Sequence, residues 1–321
     1  MKIRQTPSCS ARRGVVCMGP RTKMKTNLVI LIALSLAWAS SNLGIASADK
    51  GLAPITASAA ITGLAAIFLF VGVRIGMRRP LLPTLRANPV LPLIMAVTAV
   101  GLPQLSIVAA ENSIAPDLTT VIGTAVPILT FLAAACLLRT IRASWMNFVG
   151  VGIAVVGIVV FADPDQLLHN KAEMTGVAIM LAGGVVFVFN GLYAARRAAD
   201  LDQYALTFWI VALAGLGLSA AALVFEGVPQ TLPPRAGLLG VAFSGLVGTG
   251  LAYLLYYLLI ARAGAAFTSL YAFLVPPFGV LVTVLAGEEA LSARHMIGVV
   301  IVLAGLWLIM WKRPNEDSEA A

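Results

Sequence analysis

Asn42 and Asn190 each stand about two-thirds of the way along an apolar run, 148 positions apart. A carboxamide carries two donors and an acceptor, and hydrocarbon offers partners for none of them. Such a residue must face protein or a cavity. Trp38 precedes Asn42 by one helical turn on the same face, where its ring can stack on an apolar or cationic solute. Gln104, beside Pro103, is the strongest polar group of its run. Tyr253 and Tyr257 share a helical face, and Tyr256 lies roughly 50–100° away from them. At least one of these three tyrosines is expected only to pack. The chemistry this set can do is recognition of a neutral, zwitterionic or ring-bearing solute. It does not suit phosphorylated sugars, which would need arginine or lysine within the membrane.

Acids are placed differently. No Asp or Glu falls at the centre of an apolar run, and Glu111, Asp117, Glu288 and Glu289 all sit at run ends. Glu288 is the best candidate for proton coupling. The nearest approaches to a metal–diphosphate site are "DPD" at 163–165 and "DLD" at 200–202, neither with further ligands nearby in sequence. Cys9, Cys17 and Cys136 lack metal or disulfide spacing. His169 and His295 fall in or beside loops. No metal, cofactor or enzymatic activity is expected.

The elements that must position these residues follow from composition. The 321 residues are 60% hydrophobic and 11% charged, where soluble domains carry roughly 25% charge, and mean hydropathy is +0.94. About 20 apolar residues span a bilayer core, and ten such runs are read at 28–48, 56–75, 90–110, 118–138, 146–162, 175–195, 204–225, 236–260, 266–286 and 295–311. With the N-terminus inside, 18 of the 22 Lys and Arg fall in inside segments and 4 outside, as membrane topology requires. The net charge of +8 therefore reflects topology, not nucleic-acid binding. Both termini are expected to be cytoplasmic, with a basic tail at 1–27 and a short tail at 312–321. Met18 and Met24 are alternative starts.

A phrase is written twice. "TTVIGTAVP" (119–127) and "TSLYAFLVP" (268–276) share their threonine and closing Val-Pro at an offset of 149, and Gly150 and Gly157 meet Gly298 and Gly305 at 148. Repetition at half length, with five spans per half, puts the copies in opposite orientations across the membrane. The expected fold is an all-α integral membrane protein of ten transmembrane helices, as two inverted five-helix repeats at 28–162 and 175–311. Pro127 and Pro276 remove backbone donors and free the carbonyls of Gly123 and Ala272. They are read as helix-breaking positions suited to a cavity wall.

The stretch "LVGTGLAYLLYYLLIARAGAAFTSLYAFLVPPFGVLVTVLAGEEAL" (246–291) resembles the second half of EamA-type members of the drug/metabolite transporter superfamily, and "LAWASSNL" (36–43) resembles their first span. The first repeat departs from the pattern, reading "LLRTI" at 137–141 where Gly-Glu is usual. The resemblance implies a ten-helix exporter or exchanger of small metabolites in the cytoplasmic membrane. Substrate contacts are assigned to Trp38, Asn42, Gln104, Asn190, Tyr253 and Tyr257. Amino acids or related compounds are the first choice of substrate. A multidrug or nucleobase and nucleoside exporter is the alternative, followed by a non-transporting scaffold. The partners are a small-molecule substrate and the lipid bilayer, with a homodimer left open.

This topology has a direct test. An impermeant thiol reagent applied to intact cells should label Lys171→Cys and spare Arg79→Cys; the reverse pattern overturns it.

Overall fold

The computed structural model describes residues 20–48, 51–111, 113, 122, 125–133, 144–162, 171–229, 232–285 and 293–310. Glu288, most of the N-terminal tail, the C-terminal tail, and the side chains of Asn42, Pro127 and Pro276 lie outside that description. Among the described residues every regular element is a helix. In chain order they are α1 (Pro20–Ala48), α2 (Pro54–Gly76), α3 (Leu82–Ala87), α4 (Val90–Ala110), α5 (Ala125–Leu132), α6 (Trp145–Ala162), α7 (Lys171–Arg197), α8 (Gln203–Phe225), α9 (Arg235–Ala265), α10 (Tyr271–Leu285) and α11 (Ala293–Met310). Six of these, α1, α2, α4, α7, α8 and α9, are long and apolar enough to cross a membrane, and α6 and α11 are shorter apolar helices. Their outward side chains are apolar too: Leu216, Val224, Phe225 and Leu239 are all more than two-thirds exposed. That surface is matched to lipid, not water.

Several hydroxyls inside the spans are satisfied within their own helices. Thr62, Thr98, Thr207, Ser106 and Ser219 each donate to the carbonyl four residues back, at 2.6–2.8 Å. This is the cheapest way to carry a hydroxyl through hydrocarbon.

Six helix pairings organise the bundle: α6 with α11, α2 with α8, α1 with both α9 and α10, and α7 with both α4 and α5. The α6–α11 pair meets through glycine. A Cβ on Gly157 would lie 3.0 Å from the Gly298 carbonyl, and one on Gly305 would lie 2.6 Å from the Gly150 carbonyl. The two contacts are reciprocal, because Gly150 and Gly157 are the sequence counterparts of Gly298 and Gly305.

The α2–α8 pair is fastened at both ends. At one end Glu226, just past α8, accepts from the backbone N–H of Ile55 and of Thr56 (2.8 and 2.7 Å) and from the Thr56 hydroxyl (2.7 Å). It thereby caps α2, whose own N-cap residue, Ala53, has no side-chain acceptor. At the other end Asp202 caps α8 through the N–H groups of Tyr204 and Ala205 and pairs with Arg79 at 2.9 Å. The Arg79 guanidinium lies 4.4 Å over the Tyr204 ring. Asp202 belongs to the "DLD" stretch, so its carboxylate serves helix capping and this ion pair.

Among the described residues, three multi-residue stretches depart from α-helical winding. Phe70–Gly76, Val97–Gly101 and Ser244–Leu251 are π-helical, and the last two lie in α4 and α9. Gly264, at φ 81°, kinks the chain near the end of α9, before α10, in a conformation only glycine enters without strain. Both repeated prolines lie in helix: Pro127 in α5 and Pro276 six residues into α10, which stays helical past it.

Because the atoms nearest a Cβ on Gly305 are backbone, they cannot rotate away. Gly305→Ala is expected to lower stability by about 1–3 kcal/mol. Gly152→Ala, where nothing lies within 4 Å, should be neutral or slightly stabilising. Thermal unfolding of the two purified variants in detergent checks the contrast.

Candidate functional site

The α7 sequence places Phe187, Asn190 and Gly191 on one face by i, i+3, i+4 spacing. Asn190 is fully buried. Its Nδ2 donates to the Tyr257 hydroxyl of α9 at 3.1 Å. The Thr98 hydroxyl of α4 lies 3.5 Å from Asn190 Oδ1. One amide therefore links three helices. The neighbouring Tyr253 hydroxyl donates to the Ala99 carbonyl at 2.8 Å. That carbonyl stands four positions before Pro103, which has no N–H to give it.

Around this network stand six rings. Trp38 of α1 packs against Tyr271 (centroids 4.4 Å apart), Tyr256 (5.6 Å), Tyr253 (5.9 Å) and Phe187 (6.2 Å). Tyr257 closes the ring set, 5.2 Å from Tyr256 and 6.4 Å from Tyr253. Most of these contacts are edge-to-face or tilted, the arrangement ring quadrupoles favour. Gly191 makes room for one of them: a Cβ there would lie 2.9 Å from the Tyr256 hydroxyl. The Ser35 hydroxyl, one turn before Trp38, donates to the Leu31 carbonyl at 2.7 Å and lies 3.3 Å from the Tyr271 carbonyl, seating α1 on α10.

The rings fill the centre. The cavity beside Phe187, Gly191, Tyr256, Ser269 and Tyr271 measures about 10 Å³, space for roughly one water. A crevice of about 360 Å³ between α2 and the start of α9, lined by Leu52, Thr56, Ala60, Pro233, Leu238 and Val241, is apolar and shares no residue with the ring cluster.

Of the residues singled out from sequence, Trp38, Asn190, Tyr253 and Tyr257 come together. Gln104 goes elsewhere: its Nε2 donates to the Ser58 hydroxyl of α2 at 3.0 Å, tying α4 to α2. Asn42 lies on α1 one turn beyond Trp38, its side chain outside the described set. Glu288 is also outside it. Sequence reasoning missed Tyr271, Phe187 and Thr98, and set Tyr256 apart from its two neighbours. A signal existed for Phe187, three residues before Asn190. Another existed for Tyr271, which lies inside the repeated phrase. Among the described residues no group of His, Cys, Asp and Glu could hold a metal ion.

Comparison with known proteins fits this architecture. Residues 174–311 match the model of the EamA-like transporter family. An uncharacterized inner membrane transporter of Escherichia coli, YedA, is 25% identical over 284 residues, covering 87% of this chain and 89% of its own. An uncharacterized transporter of Archaeoglobus fulgidus is 23% identical over 207 residues, 63% of this chain and 71% of its own. A solved crystal structure superposes with a TM-score of 0.68 at 17% identity, over 89% of this chain and 96% of that one, a likeness of fold. The class defined by these apolar helices and their relatives is the membrane transporter. Within it, the chain is similar to EamA-type transporters, through the family match of residues 174–311 and through relatives that are themselves uncharacterized transporters.

Removing the Tyr257 hydroxyl takes the acceptor from the buried Asn190 Nδ2–H, leaving the amide only the Thr98 hydroxyl on Oδ1. Tyr257→Phe is expected to cost about 1–3 kcal/mol of stability, read as a lowered unfolding temperature in detergent. Phe189→Leu, at an exposed α7 position, should change it little.

Proposed function

We propose that this transporter exports small organic metabolites, amino acids or related compounds first among them, across the cytoplasmic membrane. Transport runs by alternating access through a centre formed between two inverted five-helix repeats. The observation that carries this reading is the convergence of both halves on one neutral, ring-rich centre. Trp38 and Thr98 come from the first half, and Phe187, Asn190, Tyr253, Tyr256, Tyr257 and Tyr271 from the second. No charged side chain is among them, which favours a zwitterionic or uncharged solute. The rings suit its apolar body, and the Asn190 amide with the tyrosine hydroxyls suits its polar groups.

Three features support the inverted arrangement. The Gly157–Gly298 and Gly305–Gly150 contacts are reciprocal, as the contacts across a two-fold axis are. The third span of each half carries a π-helical stretch. The pairing of α1 with α9 and α10 repeats in that of α7 with α4 and α5. On this reading Asn42 is the counterpart of Asn190, with the two on opposite sides of the midplane. Glu288 is the acid that would couple transport to protons. The edges and faces of the rings also suit flat heteroaromatic solutes, so nucleobases form the second reading.

A radiolabelled panel of amino acids and nucleobases, followed out of cells lacking their own exporters, tests the proposal. Wild-type protein should export at least one amino acid. Asn190→Ala and Asn42→Ala should each cut that rate at least tenfold per folded molecule. Export of nucleobases alone selects the second reading. Unchanged rates in both variants, with only their thermal stability lowered, would remove the asparagines from the substrate site.

A further inference from the structure

The ends of α1 (start), α2, α7 and α9 and the start of α8 lie at one end of the bundle, joined there by the Arg79–Asp202 pair and by the 3.1 Å bond from Arg262 Nε to Asn27 Oδ1. Arg74, Arg78, Arg86, Arg196 and Arg197 are exposed at this end, and no hydrogen bond or ion pair engages them among the described residues. Arg79, by contrast, is held by Asp202. The acids of the five-residue turn between α7 and α8 are Asp200, which is exposed, and Asp202, which is already engaged. The local charge is therefore strongly positive, with five such arginines against the single exposed Asp200.

Apolar side chains are interleaved with these arginines. Ile75 is 60% exposed, Met77 51% and Leu82 53%. A water-soluble anion has no use for them, whereas an amphiphile does. The short helix α3 (Leu82–Ala87) runs on from this stretch and packs against α8, and the Trp209 indole N–H donates to the Leu81 carbonyl at 2.9 Å. The segment is thus anchored to the bundle edge.

The backbone at Arg78 adds an independent observation. Arg78 has φ 53°, the left-handed region. It sits where a helix cap usually takes glycine, with the Met77 N–H bonded to the Gly72 carbonyl and the Arg79 N–H to the Val73 carbonyl. At the corresponding end of α8 the same position is Gly227, φ 78°, 149 residues on. One half uses the residue that adopts this conformation freely, and the other keeps an arginine there despite the strain.

We propose that the segment 74–86, with Arg196 and Arg197 of the neighbouring helix end, is a binding site for anionic phospholipid. Its guanidinium groups take the headgroup phosphate, and Ile75, Met77 and Leu82 take the proximal acyl chains. Guanidinium forks bind phosphate with two parallel hydrogen bonds, and their stems lie along apolar surface while the charge reaches the interface. Each such arginine contributes about fivefold in affinity for an anionic surface.

The test uses the full chain reconstituted in mixed phosphatidylcholine and phosphatidylglycerol nanodiscs, with retained lipids counted by native mass spectrometry. Wild-type protein should retain phosphatidylglycerol over phosphatidylcholine. Arg78→Gln combined with Arg86→Gln should reduce that preference by on the order of tenfold or more, with unfolding temperature in neutral detergent unchanged. If the double variant does not fold, Arg196→Gln with Arg197→Gln, at an exposed helix end, serves instead and should also reduce it. Soluble glycerol phosphate should not compete. An unchanged lipid preference in the folded variant overturns the proposal. So does full displacement by glycerol phosphate, which would mark a soluble-phosphate site. So does a wild-type protein without lipid preference that captures an acidic peptide.

Discussion

One buried amide holds the centre of this molecule together. In lipid, Asn190 has no solvent to fall back on, so its hydrogen bonds must come from Tyr257 and Thr98, and each belongs to a different helix. Satisfying the amide fixes the rotation of α7 about its axis and its depth against α4 and α9. The same rotation aims Phe187 at Trp38 and sets Gly191 under the Tyr256 hydroxyl. The ring cluster therefore depends on a polar contact made one turn away, and much of its precision comes from avoiding an orphaned donor.

Backbone polarity imposes the second constraint. Every place where a span loses an internal hydrogen bond has to be covered. At Ala99 the cover is a tyrosine hydroxyl from the other half of the chain. At the start of α2 it is Glu226, arriving from 170 residues away. Both of these covers are long-range, spanning 154 and 170 residues. They are also the contacts through which a change at one helix is felt by another.

The helical character of the chain was legible because hydrocarbon leaves few choices: long apolar runs bounded by charge form helices. The 90–110 run matches α4 end for end, and the 28–48 helix starts eight residues earlier, over basic residues that suit an interface. Asn190 and Trp38 were legible because a polar or large aromatic residue in mid-span needs a partner. Tyr256 was set apart on its helical angle alone. That angle describes one helix, whereas Phe187, Trp38 and Tyr271 approach from three others and reach around it. Gln104 was read toward the centre for its polarity, and Ser58, an unremarked serine on α2, claims it instead. Tyr271 sat inside the repeated phrase, but the repetition drew notice to its threonine and proline. What sequence could not supply was the partner list of each side chain, which only the packing of helices distant in sequence determines.

The two fastenings of α2 to α8 have a mechanical consequence. Glu226 grips one end of the pair and Arg79 with Asp202 grips the other. A tilt in either direction opens one grip, and a slide along the axis shears both. Such a pair resists small relative displacements of its two helices and moves as a unit. It behaves as a strut, and any change in the volume of the ring-lined centre has to be taken up by the helices that cross it, α1, α7, α9 and α10.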